Sequence, residues 1–259
     1  TLKSFCNTNS FEGQLQIRTW GLNMPKVSEK YFQLKRKEIV DAAYRMCIRK
    51  SISAVELKDV IAETGMSHGA IYRYFKDLDE IIGAMIVQVN SEDPYFEDVE
   101  RIFNDTDGRL PPQIIRELCQ FLYQQMAGCG IDTLKISFYV KAFMINEPER
   151  AAKIFESIKD CNISSSSHLI CKFAEYVEQQ TLKGNLHPKC PPDELVQYLT
   201  ASYDGILMNY LLKEHAEGEG AEKAASHSSK LWLKNLFSAL EYTIINLIGF
   251  EEREDEKGS

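Results

Sequence analysis

Long apolar runs are missing from this 259-residue sequence. No stretch reaches 18 consecutive apolar residues, so no segment is built to cross a bilayer as a helix. The first 23 residues hold no basic segment followed by a continuous apolar run, and no secretory signal is expected there. Strand signals are missing too: no short run bounded by turn residues stands out, and no repeat period appears. The seven cysteines, Cys6, Cys47, Cys119, Cys129, Cys161, Cys171 and Cys190, are odd in number and form no CxxC pair. That pattern argues against a disulfide framework and fits a reducing compartment, with thiols acting as small hydrophobes. The expected location is the cytoplasm. No GxSxG, HExxH or phosphate-binding loop is present, and no pair of carboxylates at helix spacing demands acid–base work. Neither an enzyme nor a bound cofactor is expected.

What is present is an ordinary globular composition, 44% hydrophobic and 10% aromatic, which excludes wholesale disorder. The net charge of −8 argues against nucleic acid until its distribution is considered. Residues 24–76 hold 11 Lys/Arg against 6 Asp/Glu, a net of +5, whereas residues 77–259 hold 17 against 31, a net of −14. A basic block near one end of an acidic chain suggests a segregated DNA-binding region. Ahead of it, residues 1–23 show no clear period and precede Met24-Pro25-Lys26. They are expected to be an unstructured extension, with an N-terminal arm as the other reading. Residues 251–259 read as an acidic, solvated tail.

Between these ends the apolar spacing is helical. Ile39, Ala42, Ala43, Met46 and Cys47 mark one face of a helix over 35–50, with Lys35, Arg36 and Lys37 clustered just ahead of it. Leu57, Val60 and Ile61 mark a shorter helix that Gly65 can end in the left-handed conformation. Ser67 can cap the next helix, expected to run through Ile71, Tyr72 and Phe75. Asp77, with Glu80 three residues on, can cap another over 79–89. Further helices are expected near Pro94, from Pro111-Pro112, over 133–146, and over 149–183 with a break near 164–167. Two long ones follow, over 193–215 and 226–248.

The segment from Leu57 to Phe75 carries the chemistry. Two short helices meet at Gly65-Met66-Ser67, a three-residue turn containing glycine, which is helix-turn-helix spacing. The second helix opens on Ser67, His68, Gly69 and Ala70, small enough to let its backbone approach the floor of a major groove. Its free N–H groups and positive end suit phosphate. Tyr72, Arg73, Tyr74 and Lys76 can donate to phosphate, which fixes register without reading sequence.

The run from Asp59 to Phe75, with its Gly-apolar-Ser-x-Gly-x-apolar-Tyr-x-x-Phe pattern over 65–75, closely resembles the DNA-binding domain of the tetracycline-repressor (TetR) family. The resemblance covers about residues 33–90. It implies an N-terminal three-helix DNA-binding domain, a larger helical domain that binds an effector and dimerises, and a dimeric transcriptional regulator, usually a repressor. It places His68, Gly69 and Ala70 at base edges and Tyr72, Arg73 and Tyr74 at the DNA backbone. Glu56 and Lys58 lie at the motif's entry; Glu56 stands where the family typically has a threonine that touches phosphate, and can favour the helix start through the dipole. Ser51 stands where the family usually has glycine. Tyr72 is expected to lay its ring on the core with its hydroxyl toward phosphate.

Beyond the motif, Cys161, His168 and Cys171, with His187 and Cys190 nearby, could join as a metal or thiol sensor; unrelated polar and buried positions are the other reading, and no metal is assigned. Phe121, Phe138, Phe143, Tyr176 and Tyr203 are candidates to line an apolar effector pocket. In the last two helices Leu199, Ile206, Tyr210, Phe237, Leu240 and Ile244 are the expected dimer interface, since helices apolar on two sides must be buried on both.

The sequence therefore reads as all-α. Its expected divisions are an extension at 1–23, a DNA-binding domain at 24–90 with its motif at about 56–75, an effector and dimerisation domain at 91–250, and a tail at 251–259. The function expected is a sequence-specific, homodimeric DNA-binding transcriptional repressor released from a double-stranded operator by a small-molecule effector. The alternative is a similar DNA binder not gated by an organic ligand: an activator, a partner-regulated protein, or a thiol or metal sensor.

Overall fold

The computed structural model describes residues 28–91, 96–104, 108–160, 165–216 and 224–250. Among these every regular element is helical, in agreement with the sequence. The expected extension and tail, Pro94, Cys161 and Ser164 lie outside the described residues.

Among the described residues eleven α-helices follow one another: α1 (Glu29–Lys50), α2 (Leu57–Thr64), α3 (His68–Ile71), α4 (Leu78–Ser91), α5 (Phe96–Asn104), α6 (Pro111–Gly128), α7 (Ile131–Asn146), α8 (Pro148–Ile158), α9 (Ser165–Leu182), α10 (Pro192–Ala216) and α11 (Ala224–Ile248). A single 3₁₀ turn, Ile52–Ala54, joins α1 to α2.

Local chemistry explains the boundaries. Ser28 caps α1, its hydroxyl accepting from the Tyr31 amide at 3.3 Å, and Glu29 sits in the first turn, where the dipole favours it. The helix therefore starts six residues before the expected 35, and Lys35–Lys37 lie inside it rather than ahead of it. The apolar period begins only at Ile39, so the earlier polar turn was invisible to periodicity. Gly65 ends α2 at φ +65°, as its position required. Asp77 accepts from the Glu80 amide at 2.8 Å while the Glu80 carboxylate accepts from the Lys76 amide at 2.8 Å, a reciprocal cap that opens α4. The helix expected through Phe75 is regular only over 68–71. Beyond it the chain stays coiled through hydrogen bonds donated by the Tyr74 and Phe75 amides to the Ile71 carbonyl, at 2.9 and 3.1 Å.

Two hydrophobic cores result. One joins α5, α6, α9, α10 and α11. The other is built from α1 to α4, including Ile39, Ile52, Val60, Ile71, Phe75 and Ile82, and it also takes in Ile136 and Phe143 of α7 and Ala151 and Ile154 of α8. The region expected at 24–90 therefore does not close its core by itself. Gly83 on α4 allows the approach: a Cβ there would lie 3.1 Å from Cγ2 of Ile158.

Candidate nucleic-acid interface

The N-terminal helices set α3 on the surface while anchoring it from below. Ile71 and Phe75 are buried, and Val60 of α2 is buried in the same core. Ser67 caps α3, its hydroxyl accepting from the Ala70 amide at 3.3 Å. Arg36 of α1 holds the other end: its guanidinium donates to the Tyr74 carbonyl, lies 3.9 Å over the Phe75 ring and reaches Glu80 at 3.7 Å.

These anchors leave Ser67, His68, Gly69, Tyr72, Arg73 and Lys76 exposed in one continuous segment, with Ala70 and Tyr74 half-buried. Nothing lies within 4 Å of where a Cβ on Gly69 would stand, so the start of α3 is open to an approaching surface. The Tyr72 ring, expected on the core, is instead 46% exposed and packs on His68 with ring centroids 4.6 Å apart. The α3 segment is too short to turn that side chain inward once Ile71 and Phe75 fill the core. Tyr74 instead packs on Phe32, at 5.0 Å between centroids. Ser28 and Tyr31 of α1 join Arg73 and Tyr74 around an open depression of about 450 Å³, so the start of α1 borders the recognition segment. That neighbour was hidden because α1 was expected to begin later.

The charges sort into two groups. Most cations of the basic block are matched by carboxylates within α1 or across to α2: Lys35 with Glu38 and Lys37 with Asp41 inside α1, Arg45 and Arg49 with Glu63 of α2, and Lys50 with Asp59 of α2. Glu63 is held below the ordinary carboxylate range by its hydrogen bonds to Arg45 and Arg49, and Asp59 by Lys50 and the Glu56 amide. Lys58 pairs with Glu56 at 2.8 Å on a fully solvated surface, so these two sequence candidates largely neutralise each other. Among the described residues, Lys30, Arg73 and Lys76 pair with no carboxylate. The cluster at Lys35–Lys37 is thus mainly structural, whereas Arg73 and Lys76 leave their positive charge available beside α3.

The other candidates fall elsewhere. Phe121 and Tyr176 are buried in the α5–α6–α9–α10–α11 core, against which Tyr203 also packs, but Phe143 is buried in the N-terminal core and Phe138 stacks beside Tyr139. The five do not converge on one lining. Burial pushes the Tyr176 hydroxyl up to about 12. Leu199, Ile206, Tyr210, Phe237, Leu240 and Ile244, expected at a dimer interface, are buried inside the chain's own core. On the same two helices the exposed apolar side chains are Tyr198, Met208, Leu212, Leu231 and Tyr242. Both faces are apolar, so spacing alone could not say which one turned inward. His168 of α9 is engaged with Glu100 of α5, and among the described residues no three His, Cys, Asp or Glu side chains gather to hold a metal. No described helix is long and apolar enough to span a membrane.

The model for bacterial regulatory proteins of the tetR family matches residues 39–85, the stretch that carries α2, α3 and their supports. The chain carries a TetR-family DNA-binding region over that stretch. It is 24% identical to the uncharacterized HTH-type transcriptional regulator YfiR of Bacillus subtilis, covering 83% of this chain and 98% of that one. It is 23% identical to an HTH-type transcriptional repressor of Mycobacterium tuberculosis, covering 78% and 94%. Its fold is that of Salmonella enterica GusR, with a TM-score of 0.51, 15% identity and coverage of 84% and 100%. These similarities support a DNA-binding transcription regulator of that family, and the exposed segment Ser67–Lys76 lies within the matched stretch.

Proposed function

We propose that two copies of the chain, joined through α10 and α11, bind a two-fold DNA operator and repress transcription until a small-molecule effector releases them. The observation that carries the DNA-binding part is the segment from Ser67 to Lys76: a capped, open helix start with His68 and Gly69 exposed, flanked by Tyr72, Arg73 and Lys76. His68, Gly69 and Ala70 meet base edges in this reading. Ser67, Tyr72, Arg73, Tyr74 and Lys76 meet the sugar–phosphate backbone.

Pairing is supported by the exposed apolar side chains of the last two helices. On α10, Tyr198, Met208 and Leu212 lie within one stripe at helical spacing, and on α11, Leu231 and Tyr242 are three turns apart on one face. A two-fold pair would present two α3 helices to half-sites one helical turn apart, about 34–36 Å. Repression is supported by the similarity to a named repressor. Release requires a ligand that prefers a conformation with misplaced recognition helices, and α4 is the natural carrier because it follows α3 directly.

One observation favours a second reading, a DNA binder not gated by an organic ligand. Of the aromatic side chains expected to line one pocket, Phe121, Tyr176 and Tyr203 go with one core and Phe143 with the other, and the depressions at Ser28–Tyr31–Arg73–Tyr74 and around Arg150 are open to solvent. Selection of operator sequences from random duplexes, followed by competition with a panel of apolar and acidic small molecules, tests both. A palindromic consensus released by one compound class supports the first reading. A consensus that no compound releases supports the second, and the absence of any consensus overturns both.

A further inference from the structure

Beside the apolar core that the N-terminal helices share with α7 and α8, one cation bridges the same elements. Arg150, in the first turn of α8, donates from Nε and Nη2 to Oδ1 of Asp79, at 2.8 and 2.7 Å, and from Nη1 to Oε2 of Glu147 at 2.9 Å. Asp79 stands in the first turn of α4, four residues after Phe75. Glu147, at the junction of α7 and α8, also takes a hydrogen bond from the Ser53 hydroxyl in the 3₁₀ turn between α1 and α2. The guanidinium carbon of Arg150 lies 5.4 Å from the centre of the Phe143 ring, itself part of the N-terminal core. One planar cation thus grips α4, the α7–α8 junction and, through Glu147, the turn ahead of α2.

We propose that Arg150 is a positioning residue that locks the DNA-reading helices at a fixed angle to the body of the protein. Beneath it, Gly83 lets α4 close on Ile154 and Ile158 of α8. That contact is apolar and non-directional, so it permits rocking, whereas a forked donor shared by two carboxylates does not. The site is half-buried and opens onto a depression of about 460 Å³ lined by Asp79, Glu147, Pro148, Glu149, Arg150 and Lys153. Water can therefore reach the three charges if they part. The lock can open without stranding a buried ion, unlike a fully enclosed pair.

The consequence rests on the proposal of a two-fold operator. In a pair of copies, the separation of the two α3 helices must match the half-site spacing, and any change of angle at α4 alters that separation. An intact lock should make binding selective for one spacing. The test uses the full chain, its selected operator, and versions with one base pair inserted or removed between half-sites. Wild-type protein should bind the altered spacings far more weakly than the selected one. Arg150→Ala should shrink that penalty by about tenfold, the scale of a typical coupling. Arg150→Lys should restore it only in part, because a compact ammonium cannot fork between Asp79 and Glu147.

Melting curves establish that each variant is folded. If Arg150→Ala does not fold, Asp79→Asn carries the same test from the exposed rim of the site. A folded variant with the wild-type spacing penalty overturns the lock. Wild-type protein that binds operator with no spacing preference overturns the two-fold reading instead.

Discussion

The guanidinium of Arg36 lies 3.9 Å over the ring of Phe75, joining the second turn of α1 to the end of the recognition segment. Together with its bond to the Tyr74 carbonyl, this makes Arg36 a structural cation rather than a phosphate contact. Arg73 is the reverse case, exposed and without a carboxylate partner among the described residues. The two arginines should therefore fail differently. Arg36→Ala should cost about 1–2 kcal/mol of stability, as for a partly desolvated cation–π contact, and leave the salt dependence of operator binding unchanged. Arg73→Ala should leave the melting temperature nearly unchanged and reduce the salt slope by about one. Thermal melts and binding titrations at several salt concentrations separate them.

His68 and Tyr72 touch each other and share the exposed face of α3. Tyr72→Phe should weaken binding to all operators alike, since a lost hydroxyl removes a backbone donor. His68→Ala should change which base is preferred at one position, an effect of about 1–3 kcal/mol. An unchanged base preference in a selection with His68→Ala would remove that residue from the reading set.

Ser51 adopts φ +67° and ψ +161°, the only positive φ at a non-glycine position among the described residues. Glycine occupies this region at little steric cost, whereas a side chain costs about 1–3 kcal/mol. Ser51→Gly should therefore stabilise the protein, raising the melting temperature by several degrees. A lower melting temperature would show that the serine compensates elsewhere.

These cases show what the sequence made legible. The caps at Ser67 and Asp77 and the left-handed Gly65 act within four residues, so spacing alone located them. Arg36 and Phe75 are 39 residues apart, and Arg150 and Asp79 are 71 apart; no local pattern announces such pairings. Ser28 was overlooked because polar helical turns leave no apolar period. Which faces of α10 and α11 turn into the chain's own core was not legible for a different reason. Leu240 and Tyr242 are both apolar, and only the packed tertiary structure decides which is buried.

The exposed faces of these two helices make a test of assembly. Tyr242, 73% exposed, and Leu212 can be changed to Glu without disturbing the core. The double change should convert a pair of chains to single ones in sedimentation while leaving the helical content intact. Leu240→Ala should do the opposite, lowering stability by about 2–5 kcal/mol without first altering the association state.

Acid should loosen α2 from α1. Glu63 and Asp59 are held below their ordinary range by Arg45, Arg49 and Lys50, so their stabilising effect is complete above the unfolded carboxylate range and is lost as pH falls through their folded values. Glu63→Gln should therefore be less stable than wild type near neutrality, with the gap closing as pH drops below about 4, the usual carboxylate range. Unfolding by urea at a series of pH values measures the gap. A gap that stays constant would show that Glu63 acts through shape rather than charge.

The N-terminal core borrows Ile136 and Phe143 from α7 and Ala151 and Ile154 from α8. This limits how the protein can be rearranged. A chimera that grafts only the first four helices onto another body would strip away those side chains and leave the N-terminal core short of apolar cover. The transferable unit is discontinuous in the chain: the reading head together with the α7–α8 corner. Changes accumulating on either side of that seam are constrained to keep fitting each other.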